Sequence, residues 1–481
     1  MKRDFVFYAL FTATAKGLQF LLLPLLTRLF SPADYGFIDL VSTLTALLTI
    51  LMSLSMESAV ARMWFDAEAT GRTARLLSSA ILFVSLYGTL LSLALWVASD
   101  FIAAVLMGKP EAAAIIKSAV VTALAMAVSG LPQIALRMEL KVLQFGLLQL
   151  LQSALGIALS LLLMLQYRLE LFGFFLGIFF SALIVLALGM VWVRNHLTWK
   201  LSMRQLRECL DYGLPLTPAV FINWANGQAD RFILLSLLGL GVVGVYGAAA
   251  KVATIITVLV EIFRLAWLPA AMRRLDNESA RNVFFNFTLT GYLAVMCSVG
   301  LLLVAYSREL LLTLTSSDYA ASYVSIPWLI GAQILYGSAS ITNVGMLANK
   351  KTGGNSVAAA IGAVLNIGLG LVLVAAFGLP GSAIGSFLSA FVFTALLMML
   401  SVRQTNIRFN VPVAFGLVFV FVLSSAGVLW LYRAEGSNTL VARSGLLVIA
   451  IATLWVASAR SIRQDANAMQ TQHLPTAVPN P

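Results

Sequence analysis

Apolar runs of about twenty residues follow one another along nearly the whole chain, each ended by a charge or by a Pro/Gly turn. A helix needs roughly 20 mostly apolar residues to cross hydrocarbon, so each run reads as a spanning helix. The pattern predicts about fourteen. Six lie near 5–29, 36–63, 75–98, 112–136, 143–166 and 171–193, and six more near 212–237, 243–270, 283–305, 324–348, 355–377 and 380–402. A last pair falls near 411–432 and 441–459. Two joints are only the short turns "GLGVVG" and "GLPG", where Gly supplies the punctuation. The opening "MKRDFVFYALFTATAKGLQFLLLPLLTRLF" is too long for a signal peptide, is interrupted by Lys16 and lacks a small-residue cleavage site, so it reads as an uncleaved first span.

Composition strengthens this picture. Of 481 residues, 60% are hydrophobic and 11% charged, against about 25% charged in soluble domains. The fold class expected is an all-α polytopic membrane protein. Of the 31 Lys and Arg, twenty fall in segments on the N-terminal side of the membrane, seven on the other side, and four (Lys16, Arg231, Lys251, Arg264) inside spans. That bias places both termini in the cytoplasm with an even number of spans. It also accounts for most of the net charge of +11, which is therefore no sign of nucleic-acid binding. Cys209, in an expected cytoplasmic loop, and Cys297, within a span, make no disulfide framework.

The longest cytoplasmic loop, "VRNHLTWKLSMRQLRECLDYG", divides the spans into two groups of six. The expected organisation is a six-helix bundle over 1–194, a linker over 195–211, a second six-helix bundle over 212–403, an extra helix pair over 404–459, and a disordered tail over 460–481. The halves also look alike. "LLPLLTRLFSPADYGFIDLVSTLTALLTI" and "FILLSLLGLGVVGVYGAAAKVATIITVLV" share a span–turn–span plan, and an offset of 208 residues pairs Gly36 with Gly244 and Ser31 with Gly239. Six spans precede the second copy, so the repeat is parallel, with a pseudo-two-fold axis along the membrane normal, and transporters built this way hold substrate between their halves.

Candidate chemistry is confined to a few positions. Gly239-x-Gly241-x-x-Gly244 matches a dinucleotide fingerprint in letters only, since that motif needs a preceding strand. There is no P-loop, and His196 and His473 are the only histidines, in a loop and in the tail, which leaves metal binding and His-based catalysis without support. Gly173-x-x-x-Gly177 and Gly381-x-x-x-Gly385 suit close helix packing. The intramembrane charges are Lys16 in the first span, Asp230 and Arg231 in the seventh, and Lys251, Glu261 and Arg264 in the eighth, with Glu57 and Arg62 toward the cytoplasmic end of the second. A charge at the bilayer centre costs about 2.5–3.5 kcal/mol, so such groups face a cavity or a partner. Within the spans four bases oppose two acids, a balance suited to an anionic substrate such as a phosphate. Glu261 and Arg264, three apart, can also simply neutralise each other. Adjacent Asp230 and Arg231 project about 100° apart, so separate partners are expected, with Lys16 or Lys251 available to Asp230. Arg28, Asp39 and Arg62 lie near interfaces and are read as snorkelling.

Two stretches carry a family resemblance. "LPLLTRLFSPADYGFIDLVSTLTALLTILMSLSMESAVAR" and "YGLPLTPAVFINWANGQADRFILLSLLGLGVVGVYGAAAKV" resemble the polysaccharide repeat-unit flippases of the O-antigen type, whose Gly-Leu-Pro, Asp-Arg, Tyr and Lys fall on Gly213, Leu214, Pro215, Asp230, Arg231, Tyr246 and Lys251. These share a superfamily with the multidrug and toxin extruders and the lipid II flippases. The resemblance implies two six-helix bundles around a central cavity, working by alternating access without cofactor or catalysis. It implies a substrate of undecaprenyl-diphosphate-linked oligosaccharide moved from the inner to the outer leaflet for O-antigen, capsule or exopolysaccharide synthesis. Lys16, Arg231, Lys251 and Arg264 are then the candidate diphosphate contacts. Gln19, Asn223, Trp224, Asn226 and Gln228 are the candidate sugar contacts, and Asp230 and Glu261 the candidate H⁺ or Na⁺ sites. The extra pair resembles one that forms a lipid-tail groove in the lipid II branch. Expected partners are the lipid-linked glycan, the bacterial inner membrane, a polymerase and other assembly proteins, and no nucleic acid. The alternative is an H⁺- or Na⁺-coupled exporter of organic cations, which the excess of bases disfavours. A glycosyltransferase or ligase would need a large outside loop, and the outside segments are short.

Overall fold

Hydrocarbon offers no hydrogen-bond partners, so a chain this apolar satisfies its backbone within helices. The computed structural model describes residues 2–107, 112–198, 200–272, 274, 278–344, 346, 353–405, 407, 409–434 and 439–472. Lys109, Arg273, Lys350, Lys351, Arg408 and His473 lie outside the described residues. Among the described residues the fold is all-helical, with 16 α-helices and no strand. They are α1 (Lys2–Leu29), α2 (Pro32–Ser53), α3 (Met56–Ala69), α4 (Thr73–Met107), α5 (Ala113–Met138), α6 (Val142–Leu161), α7 (Glu170–Val193) and α8 (Met203–Leu238). After these come α9 (Leu240–Met272), α10 (Glu278–Ala305), α11 (Ser307–Leu314), α12 (Ile326–Thr342), α13 (Gly353–Phe377), α14 (Leu379–Thr405), α15 (Val411–Arg433) and α16 (Thr439–Gln472).

Among the described residues twelve stretches have the length and apolarity to cross a membrane. α8, at 36 residues, is long enough but diluted by the polar run from Asn223 to Arg231, and α1, at 28 residues, has the length as well. Counting both recovers the fourteen that the sequence predicts. The lipid-facing character is plain on α4, where Leu86, Leu90, Leu93, Val97 and Phe101 share one helix face and are 60–82% exposed. A stripe of that size does not survive in water.

The chain forms two compact units, Met1–Gln228 and Ala229–Pro481. In the first, α5 packs on α2, α4 and α7, and α6 lies between α1 and α7. In the second, α12 packs on α9 and α14, α13 pairs with α14, and α15 and α16 both lie on α10. The boundary differs from the expected bundle limits. It falls inside α8, whose helix also begins well before the span predicted from residue 212 and turns much of the expected linker into helix. Cys209 is therefore a buried helical residue rather than a loop residue, its Sγ 3.8 Å from Met63 Sδ. What remains of the linker is strapped to the first unit. Ser78 and Ser79 accept from the backbone N–H of Thr198 and Ser202, each at 2.9 Å, and His196 Nε2 meets Glu139 at 2.6 Å. Of the tail expected to be disordered over 460–481, the part up to Gln472 is helical, and residues 473–481 lie outside the described residues.

The predicted second span is interrupted. Leu54 and Ser55 adopt left-handed φ values of 45° and 57°, separating α2 from α3, a conformation that costs a non-Gly residue of order 1 kcal/mol or more. α8 supports the break within the same unit. Ser55 Oγ lies 3.2 Å from Thr217 Oγ1, and a Cβ on Gly213 would come 2.7 Å from the Leu54 carbonyl oxygen. The two short joints are tighter than read: only Gly239 and Gly378, with φ of +86° and +67°, separate the consecutive long helices, and the rest of each turn already belongs to the next helix. Both small-residue motifs sit at close helix crossings, Gly177 against the Ser160 backbone and Gly381 against the Leu373 carbonyl. A methyl at residue 381 has no room, because its neighbour is backbone. Gly381→Ala is expected to destabilise the second unit by about 1–2 kcal/mol through overpacking, read as a lower melting temperature of the detergent-purified protein; unchanged melting would show that this crossing can open.

Candidate functional site

Each candidate charge sits on a helix whose other residues are apolar, so its partners decide its use. In the first unit, Lys16 and Gln19 lie midway along α1, Lys16 half-buried and Gln19 exposed. Gln19 Nε2 donates to Ser153 Oγ of α6 at 3.4 Å. α8 then presents Asn223, Trp224, Asn226 and Gln228 in close succession, the first exposed and the others half-buried. Trp224 stacks on Phe221 with ring centroids 5.8 Å apart, which makes an aromatic platform. Beside it Gly227 faces open space, with nothing within 4 Å of where a Cβ would stand.

The second unit corrects one expectation. Asp230 and Arg231, expected to project apart, are ion-paired with each other. Arg231 Nη1 donates to Asp230 Oδ1 at 2.8 Å, and the Arg231 backbone N–H donates to the same oxygen at 3.0 Å. The second carboxylate oxygen accepts from the Tyr246 hydroxyl of α9, whose ring also lies 5.6 Å from the Arg231 guanidinium. Both charged residues are buried, at 6% and 9% exposure. The 100° rule describes where adjacent Cβ atoms point; a guanidinium on a long flexible stem can still return to its neighbour's carboxylate. Asp230 has no need of Lys16 or Lys251, and both its oxygens are engaged, which weighs against an open ion site there.

The remaining basic candidates of this unit are not neutralised. Lys251 is half-buried on α9, and it makes no hydrogen bond or ion pair among the described residues. Arg264 is exposed and makes none either, so it does not pair with Glu261 three residues earlier. The helix-face neutralisation left open by the sequence does not occur. Glu261 is half-buried. By contrast Arg62, read as an interface residue, pairs with Asp66 at 3.7 Å on an exposed face. Among the described residues no group of three or more His, Cys, Asp or Glu is placed to hold a metal ion.

Two features were missed by reading charge alone. One is Tyr246, whose apolar ring hides a hydroxyl that completes the Asp230 shell; the family motif marked the position but gave it no role. The other is the amide set on α6, Gln149, Gln152 and Ser153, spaced i, i+3, i+4 in the run "LLQLLQSALG". The second unit also contains a small apolar pocket between α10, α12, α14 and α15, lined by Leu289, Leu293, Leu335, Phe391, Met398 and Phe415 among others.

Comparison with known proteins accords with this architecture. Among solved structures, the lipid II flippase MurJ in an inward closed conformation superposes with a TM-score of 0.73 at 15% identity, covering 95% of this chain and 99% of that one. An inward-facing multidrug-resistance MATE transporter of the MOP superfamily gives a TM-score of 0.69 at 14% identity, over 82% of this chain and 94% of that one. A MOP-superfamily transporter from Pyrococcus furiosus gives 0.62 at 14% identity, over 84% and 96%. At these identities the likeness establishes a shared fold. No curated protein sequence matches. The family model described as "polysaccharide biosynthesis protein" matches residues 25–324, more than half of the chain. The protein is thus a polytopic membrane protein and belongs to the polysaccharide biosynthesis protein family.

Proposed function

We propose that the protein is a flippase that carries undecaprenyl-diphosphate-linked oligosaccharide repeat units from the inner to the outer leaflet of a bacterial inner membrane, by alternating access. The observation that carries this reading is the basic surplus at membrane depth. Asp230 is already matched by Arg231, whereas Lys251 and Arg264 make no hydrogen bond or ion pair among the described residues, and a further base, Lys16, lies on α1. Lysine is a mobile point charge suited to a diphosphate, and an unpaired base in a low-dielectric site attracts an anion strongly. The chemistry of the substrate fits the rest. Sugars need hydrogen-bonding groups, which Gln19, Asn223, Asn226 and Gln228 offer, with Trp224 available for stacking. The polyprenyl tail needs none, and the apolar pocket beside α15 gives it a surface of matching character. Both termini would lie in the cytoplasm, and a polymerase on the outer face would draw the reaction forward by consuming product.

The exporter fold shared with the MATE transporters keeps an ion-coupled cation exporter as the competing reading. Asp230 is fully engaged, so that reading is left with Glu261 as its only acid of this set. The deciding measurement is the leaflet distribution of lipid-linked oligosaccharide in cells that carry Lys16→Ala or Lys251→Ala in place of the native chain. Each variant is expected to slow translocation about tenfold or more, the loss of roughly 1.4 kcal/mol that a charge-assisted hydrogen bond contributes. Normal outward movement in both variants would remove the diphosphate site.

A further inference from the structure

We infer that the seam between α1 and α6 is a glycan-recognition subsite, with Gln149 and Gln152 as its specificity-determining residues. This rests on the flippase reading. α1 and α6 are held together at two levels. The Phe11 ring packs on Gly146, leaving no space for a Cβ there, and Gln19 reaches Ser153. Phe11 precedes Gln19 as Gly146 precedes Ser153, so the helices run in the same sense, and at 1.5 Å per residue the stretch between these contacts sets Lys16 level with Gln149. The seam thus places a base, two amides and a hydroxyl side by side: Lys16 and Gln19 from α1, Gln149 and Ser153 from α6. Gln152 extends the row toward α7, where it donates to Ser181 Oγ at 3.0 Å.

Polar side chains between membrane helices often serve only to join them. Three observations go beyond that. Gln19 spends one N–H on Ser153 and Gln152 one on Ser181, yet among the described residues neither amide oxygen accepts a hydrogen bond. Gln19 is exposed, and next to it Gly17 faces empty space, with nothing within 4 Å of where a Cβ would stand. An amide left open to lipid at this depth is costly, so the seam borders water or a polar ligand instead. Finally, the set is amide-rich and carries no acid. A primary amide donates and accepts at once, which matches the vicinal hydroxyls and acetamido groups of a sugar, while Lys16 at the end of the row adjoins the position of the diphosphate to which that sugar is bonded.

The test measures binding to the protein in nanodiscs, using lipid-linked oligosaccharide extracted from the producing cells and, in parallel, undecaprenyl diphosphate without sugar. The native protein is expected to hold the glycosylated carrier about tenfold more tightly. Gln149→Met/Gln152→Met is expected to abolish that preference while leaving the affinity for the bare carrier unchanged. Because Gln152 also joins α6 to α7, Gln149→Met alone is the second variant, and it should lose at least half of the preference on a logarithmic scale. A preference retained in both variants, or no preference in the native protein, overturns the subsite. Failure of the native protein to bind either carrier overturns the flippase reading instead.

Discussion

Arg231→Leu is expected to destabilise the protein by about 3–5 kcal/mol, enough to abolish folded protein in a membrane extract, because it leaves the Asp230 carboxylate buried without its cation. Asp230 is 6% exposed and its two oxygens are held by Arg231 and Tyr246. Tyr246 alone can share only one hydrogen bond. The double replacement Asp230→Leu/Arg231→Leu removes both charges together and is expected to recover most of the stability, since apolar groups of similar size often substitute for a buried pair at little net cost. The pair of variants separates two roles. If Arg231 serves only to neutralise Asp230, the double variant folds and transports. If the guanidinium also meets the diphosphate, the double variant folds and fails to translocate. Melting of the single variant at the native temperature would mean that water reaches Asp230 and that the pair is not buried in the working protein.

The fold was largely legible because its solvent is hydrocarbon, where apolar run length translates directly into helices. Fourteen spans, the short joints at Gly239 and Gly378, and the close crossings at Gly177 and Gly381 all follow from local sequence. The break at Leu54–Ser55 does not. "LMSLSMES" contains neither Gly nor Pro, and the left-handed pair is held from 162 residues away by Thr217, with Gly213 allowing the approach. Tertiary support of that kind leaves no trace in a window of sequence. The end of the bundle was misplaced for a related reason. The linker and the residues beyond 460 are polar, which suggested loop and disorder, yet α8 takes up the linker from Met203 and α16 continues to Gln472.

The candidate site was legible in its parts and not in its pairing. A charge census singled out Lys16, Asp230, Arg231, Lys251, Glu261 and Arg264, all of them on the long helices α1, α8 and α9. It could not tell which of them neutralise one another. Side-chain reach decided that for Arg231, whose stem is long enough to override the angular offset, and for Arg264, which stays apart from Glu261 despite favourable spacing. Neutral amides escaped the census altogether. Gln149 and Gln152 carry no charge to stand out, and only the α1 contacts of their neighbours Gly146 and Ser153 and the bond from Gln152 to Ser181 give them meaning.

Glu309→Gln is expected to cost about 2 kcal/mol at pH 7 and almost nothing in acid, because Glu309 anchors the last helix pair to the second unit. Arg443 of α16 grips it with two bonds, Nη2 to Oε1 at 2.6 Å and Nη1 to Oε2 at 3.1 Å, and Arg443 also donates to the Ala305 carbonyl at 2.9 Å. Tyr432 of α15 bonds the same carboxylate at 3.0 Å and lies 4.1 Å beneath the guanidinium. Arg443 is 5% exposed and Glu309 41%, so the pair falls between an exposed bridge, at 1 kcal/mol or less, and a buried one, at about 3–5. Partial burial pushes the Glu309 carboxyl upward, but the Arg443 hydrogen bonds and charge, with Tyr432, outweigh it and hold the group below the ordinary glutamate range. A carboxyl lowered by folding binds fewer protons in the native state, so its contribution is complete above the unfolded-state value, about 4.3, and fades as pH falls through the lower native one. The stability difference between native and Glu309→Gln protein, followed by denaturant titration from pH 7 to pH 3, should therefore be flat down to about pH 5 and then shrink. The variant itself contributes no titration at this position, so the other carboxylates cancel in the difference. A gap that stays constant into acid would show that Arg443 is held by the Ala305 carbonyl and the Tyr432 ring, and that the Glu309 charge adds little.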